Sequence, residues 1–294
     1  GRKRLQEDLA EKLTADASNS ASDLAAELCE TEGLMSAVDF HRHIIRRQLE
    51  LRIEERRKTS ESTSDPLVMH YELGQLLTRL GRWDEAETEF RTATTIAPDN
   101  QYPWLWTVPI LVIREQDDEY RAFCHAIAEQ FRDTTDVMQA DVVCKTSLLR
   151  PGETDFADLP CQLVEDAAAD PSQEGLQPWL QSCSSLIALR RGEFQLAIER
   201  SEQVPFHTVH AYVLARIIRS IALVHTNRLS EAIEQLQSVE GYLPPDLRAL
   251  STTPTDTPLI LSEEAAHHDW QIPWILWREA KQLLQEHAPT EAQR

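Results

Sequence analysis

Glycine (8), cysteine (5) and methionine (3) are scarce in these 294 residues, and 29 Lys and Arg face 49 Asp and Glu. Each shortage excludes something. Few glycines and no long alternating Val/Ile/Thr run leave the chain nearly without strand signals. The cysteines (Cys29, Cys124, Cys144, Cys161, Cys183) are odd in number, widely spaced and without a C-x-x-C pair. They read as small core thiols of a reducing compartment, not as a disulfide frame or zinc site. No run approaches the roughly 18–20 apolar residues that span a bilayer, so no integral membrane protein is expected. A net charge of −20 leaves no broad basic surface for nucleic acid or anionic lipid. The chain starts at Gly1 without an apolar leader, and the expectation is a piece of a cytoplasmic protein.

Catalytic signatures are missing too. There is no Gly-rich loop followed by a strand lysine, no His-Arg-Asp loop with its asparagine, no G-x-x-x-x-G-K-[ST] and no G-x-S-x-G. Asp39-Phe40-His41 lacks the glycine of a metal-binding Asp-Phe-Gly and sits inside an amphipathic helical stretch. His41 and His43 point to nearly opposite sides of a helix; His207 and His210 have no third ligand nearby. Asp269 after His267-His268 is more simply a helix N-cap. The chain is therefore expected to be non-catalytic, without metal or cofactor.

What is present is helical period. A hydrophobic fraction of 41% suffices for a core and rules out global disorder. Leu73, Leu76, Leu77 and Leu80 recur at three and four; Gly81 follows, then Ala86, Phe90 and Ala93, and Pro98-Asp99-Asn100 closes the unit. Gly81-Arg82-Trp83-Asp84-Glu85-Ala86 recurs as Gly192-Glu193-Phe194-Gln195-Leu196-Ala197 and Asn227-Arg228-Leu229-Ser230-Glu231-Ala232. Ala197 and Ala232 are 35 residues apart, near the 34-residue period of the tetratricopeptide (TPR) repeat. Ala86 and Ala197 are 111 apart, room for about two degenerate units. Gly or Asn supplies a left-handed residue that ends one helix, the aromatic plugs the turn, and the small Ala lets the second helix close on the first. Departures are His70 where the pattern has tryptophan and Leu77 where it has tyrosine.

The fold expected is all-α: an α-α superhelical solenoid of about five TPR-like hairpins over 67–250. Residues 1–64 would be N-terminal helices left from an upstream hairpin, with Leu5, Leu9 and Leu13 and then Leu34, Val38, Ile45, Leu49 and Ile53 as apolar stripes. Residues 259–288 would be a capping helix carrying Trp270, Trp274 and Trp277 on one side, with the helix at 211–224 and its partner at 229–239 as receptor. Polar linkers are read at 59–66 and 251–258. Between 101 and 174 helices are expected from Trp104 to Ile113, Tyr120 to Phe131, Val137 to Leu149 and Phe156 to Ala169. Acidity is uneven: residues 1–64 hold 13 acids against 11 bases, the remainder 36 against 18. The basic stripe Arg42, Arg46, Arg47, Arg52, Arg56 and Arg57 is interleaved with Glu50, Glu54 and Glu55 and reads as a solvated, ion-paired face.

The stretches 81–100, 131–136, 148–152 (Leu-Leu-Arg-Pro-Gly), 190–194 (Arg-Arg-Gly-Glu-Phe), 268–270 and 278–280 (Arg-Glu-Ala) carry a family likeness. They resemble the TPR-bearing C-terminal regions of large bacterial serine/threonine protein kinases and their repeat-only relatives. The resemblance implies an α-solenoid attached to signalling enzymes and supplies no catalytic residue. The function expected is a protein-binding scaffold whose concave face takes a peptide or helix; the alternative is a docking arm of a kinase encoded upstream. By repeat register Val68, Tyr71, Gln75, Arg79, Leu186, Leu189, Leu214, Ile217 and Ile221 face the concave side. Tyr71 and Gln75 replace the Lys and Asn with which one TPR subclass clamps acidic tails, so an apolar or basic protein partner is expected, not nucleic acid or membrane.

Overall fold

The computed structural model of this chain describes residues 37–59, 65–152, 155–250 and 261–287, with side chains of the first helix from Ile44 onward. The expected stripes at Leu5–Leu13 and Leu34 and most of the two expected linkers lie outside the described residues. Helix α1 (Ala37–Thr59) precedes five helical hairpins: α2 (Pro66–Arg79) with α3 (Trp83–Ile96), α4 (Gln101–Ile113) with α5 (Asp117–Gln130), α6 (Val137–Ser147) with α7 (Cys161–Ala169), α8 (Gln177–Arg190) with α9 (Phe194–Glu202), and α10 (Val209–His225) with α11 (Leu229–Glu240). Then come α12 (Pro245–Leu250), α13 (Glu263–Ala266) and α14 (His268–His287). Among the described residues there is no strand. The fold is an all-α, TPR-like solenoid.

The turns explain the period. Positive φ occurs at Gly81 (67°), Glu115 (56°), Gly152 (76°), Gly192 (79°) and Asn227 (59°), one for each hairpin, 34, 37, 40 and 35 residues apart. Four of these turns share one hydrogen-bond pattern. The Gly81 N–H donates to the Thr78 carbonyl and Arg82 N–H to Leu77; Glu115 donates to Val112 and Gln116 to Leu111; Gly192 to Leu189 and Glu193 to Ala188; Asn227 to Val224 and Arg228 to Leu223. This is the Schellman motif, which satisfies the last carbonyls of each first helix. In these four hairpins the second helix begins two residues after the left-handed residue, and Ala86, Ala197 and Ala232 are completely buried where the two helices touch.

Side-chain caps start several helices. Asp65 accepts from Val68 N–H, Asn100 from Tyr102 N–H, and Asp136 from Met138 and Gln139 N–H groups. Consecutive first helices pack side by side, α4 on α6, α6 on α8 and α8 on α10, and so form one wall of the array. Part of the basic stripe on α1 meets acids of the first hairpin: Arg56 reaches Glu72 at 2.9 Å and Arg57 reaches Glu85 at 3.0 Å. Exposed as these pairs are, each contributes little stability. The four described cysteines are buried free thiols.

Candidate functional site

Helix α14 packs on α10 and on α4, first helices of the fifth and second hairpins with two hairpins between them, and also touches α11. Preceding it, α13 packs on α2. The C-terminal segment therefore runs along the face made by the first helices. The expectation was a cap on the last hairpin, covered on one side. Contact with α10 and α11 is present, but eight consecutive residues, Trp270 to Trp277, are all buried. A capping helix keeps one wet face; this one is enclosed on every side for two turns, because the array curves around it. Beyond Trp277 the helix emerges, and Arg278, Lys281, Gln282 and Gln285 are exposed.

Each first helix supplies something to this groove. Leu261 N–H donates to the Arg79 carbonyl at 2.8 Å, and Arg79 Nε donates back to the Leu261 carbonyl at 3.3 Å, which fixes the incoming chain to α2. Tyr71 has its hydroxyl pKa raised by burial and by the carboxylates of Asp269 and Glu263. Its ring packs at a tilt on Trp106 of α4, the ring centres 4.2 Å apart. Around the start of α14, Lys145 and Asp141 of α6 form a buried pair at 2.7 Å, and the Lys145 ammonium sits 5.2 Å from the Trp179 ring of α8. His210 of α10 stacks on Trp179 and meets Trp270 edge-on at 4.5 Å. His268 is buried, and that burial pushes its pKa down to about 3. His267, His268 and Asp269 hold their ligand atoms within 4.8 Å of one another, as three neighbours in one tight turn.

Further along, Arg190 joins three elements. Its Nε and Nη2 donate to the carbonyls of Leu148 and Leu149 at the end of α6, at 2.8 and 3.0 Å. Its Nη1 and Nη2 donate to the two carboxylate oxygens of Glu279 on α14 at 2.6 and 2.7 Å. The Arg190 side chain is 4% exposed. Such a two-pronged, charge-assisted pair fixes orientation as well as position, and the guanidinium also answers the orphan carbonyls of a helix C-terminus. Beside it lies a cleft of about 980 Å³ between α14 and the hairpin turns. Arg150, Arg190, Arg248, Arg278 and Lys281 line it against Glu115, Asp117 and Glu279, a local excess of positive charge in a chain of net −20.

Of the nine residues assigned by register to the concave side, Leu186, Leu189, Leu214, Ile217 and Ile221 are buried in one apolar cluster with Trp270, Trp274 and Trp277. Tyr71 and Arg79 face the incoming segment, as described above. Gln75 is half-buried, and Val68 is 47% exposed at the start of α2. Sequence reasoning did not anticipate Arg190, Glu279, Lys145, Asp141 or His268 in the groove. The Arg190 and Glu279 stretches were visible as motifs, but nothing in their spacing says that residues 89 positions apart meet.

A profile described as tetratricopeptide repeat matches residues 69–100. Over these residues the chain is similar to a tetratricopeptide repeat. They cover most of α2 and all of α3, the unit whose turn geometry recurs in three of the four hairpins that follow. No curated protein and no solved structure matches the chain. Tetratricopeptide repeats as a class mediate protein–protein interaction, and no described helix is long and apolar enough to cross a membrane.

Proposed function

We propose that this chain is a non-catalytic scaffold that binds a helix of another protein in the groove along its first helices. The observation that supports this most is α14 itself: a helix with Trp270, Trp274 and Trp277, enclosed by α4 and α10 and pinned by Arg190, displays the kind of ligand the groove accommodates. This is recognition of an apolar helix face in a groove, read by anchors at i, i+4 and i+7. The apolar partner expected from sequence fits the Trp270–Trp277 part. At the Arg190 end the lining favours a carboxylate on the ligand.

A selection from a display library of helical peptides tests the reading, run against the full chain and its Glu279→Gln variant. Enriched sequences should carry large apolar residues at i, i+4 and i+7, with Asp or Glu one or two positions after the last, and Tyr71→Ala should weaken their binding. If neither protein enriches a helix of this pattern, the reading falls.

A second reading, the docking arm of a serine/threonine kinase, draws support from the meeting of Leu148–Leu149, Arg190 and Glu279, which lie in three of the stretches that carry that resemblance. The coding sequence upstream of Gly1 tests it: a catalytic domain there supports it, and an unrelated domain or a start codon contradicts it.

A further inference from the structure

The groove proposed for a partner is already full, which sets a condition on any binding there. We propose that α14 is an exchangeable ligand in cis, latched by the Arg190–Glu279 pair, and that a partner helix enters by displacing it. This rests on the scaffold reading above and adds its regulation.

Several observations converge. Each of the five hairpins closes on its own left-handed turn residue and its own second helix, without a residue of α14 in the turn. What α14 contributes is occupancy of the face they share. Its fully enclosed stretch ends at Trp277; beyond it Ala280, Leu283 and Leu284 keep one side on the array while Arg278, Lys281, Gln282 and Gln285 face outward. The fit is apolar yet polar-poor. Trp274 Nε1, Trp277 Nε1 and His268 Nδ1 are buried without a hydrogen-bond partner. Each such atom is on α14 itself and forfeits a bond it would make with water, so the resident helix is held less tightly than its apolar burial alone implies, and a ligand that packs equally well without buried unpaired donors would bind better.

The polar anchor is concentrated at one place. Glu279 makes two charge-assisted bonds to Arg190, while the neighbouring charges, Arg278 to Glu115 and Lys281 to Glu240, are looser pairs at 3.6 Å between exposed side chains. Breaking the fork would loosen α14 and leave Arg190 on the Leu148 and Leu149 carbonyls. A tethered ligand acts at an effective concentration on the order of millimolar when the tether is short. A free partner must overcome that advantage, and its apparent affinity falls by the fraction of molecules whose groove is open.

A fluorescein-labelled synthetic peptide of residues 262–287 is the probe, titrated into the full chain and its Glu279→Gln variant and followed by anisotropy. The peptide carries its own Glu279, so it should bind the variant roughly ten- to hundredfold more tightly than wild type, the range for a lost charged pair. Equal affinity for the two proteins, or no binding to either, overturns the proposal. Circular dichroism shows whether the variant keeps its helices. Should it unfold, native-state hydrogen exchange on the wild-type chain gives the answer alone. Amides of 270–277 should exchange through a local opening at lower free energy than those of 213–224 in α10. If both exchange only with global unfolding, α14 is a permanent core helix and the exchange idea is wrong. Because the probe is the chain's own sequence, a negative result here leaves the library selection to judge the scaffold reading separately.

Discussion

A Cβ added at Gly74 would stand 2.3 to 2.7 Å from three atoms of the Phe90 ring. The first hairpin closes that tightly because α2 offers no side chain at the crossing and α3 fills the space with an aromatic. Gly74→Ala gains about 1 kcal/mol of helix propensity, but overpacking of this kind costs about 1–3. The clash wins, since Phe90 is 2% exposed and has nowhere to turn. Urea denaturation should show net destabilisation of Gly74→Ala, while Gly175→Ala, with open space around it, stays near wild type. His268 makes a second residue-scale test. Burial lowers its pKa to about 3; Asp269 opposes that shift, and His267, Lys145 and His210 add to it. The folded protein keeps the imidazole neutral, whereas the unfolded chain takes up a proton below about pH 6.5. Stability is therefore complete above pH 6.5 and is lost as pH falls toward 3, by up to about 1.4 kcal/mol per unit. The wild-type urea midpoint should drop between pH 7 and 5.5, and His268→Gln should flatten that slope. His210 and His225, whose pKa values burial also lowers, would leave a smaller slope of the same sign. An unchanged slope contradicts the buried neutral histidine.

Among the helices, legibility followed the chemistry of the turns. Hairpins with Gly81, Gly192 and Asn227 at the left-handed position could be read directly, because few residue types tolerate positive φ. At Glu115 the repeat signature was weak, although the helices expected from Trp104 to Ile113 and from Tyr120 to Phe131 are both present. Glutamate is unusual there, and Tyr120 occupies the place where the other copies have alanine. The structure shows the compensation: Tyr120 is completely buried, and its hydroxyl donates to the Thr146 carbonyl of the next hairpin, so a large residue bridges units where a small one would let helices close. Arg114, beside this turn, pairs with Asp84 and Glu87 of α3 and ties the second hairpin to the first. In hairpin α6–α7 the helices expected from Val137 to Leu149 and Phe156 to Ala169 are present, the second starting with the short 3-10 turn Phe156–Asp158, but the repeat period was obscured because the spacing on either side of Gly152 is 37 and 40 residues. The spacing of Trp270, Trp274 and Trp277 correctly placed them on a helix against α10, but periodicity reports which side is apolar. It is silent on whether Ile272, Ile275 and Leu276, on other sides, meet a wall as well.

At the scale of the whole molecule, the five hairpins form a wall and the C-terminal helix lies within its curve, so that residues far apart in sequence make the site. Arg190 and Glu279 are 89 positions apart and come together only if α14 occupies the groove. A double-mutant cycle on this pair measures that arrangement directly. Arg190→Gln, Glu279→Gln and the double variant would be compared by urea denaturation of the full chain. A charge-assisted pair with the arginine 4% and the glutamate 21% exposed should show a coupling of about 1.5–3 kcal/mol. The double variant would then be markedly more stable than the sum of the two single losses predicts. Additivity within about 0.5 kcal/mol would mean that the two side chains do not meet in solution, and that the groove is not filled by the chain's own C-terminal helix.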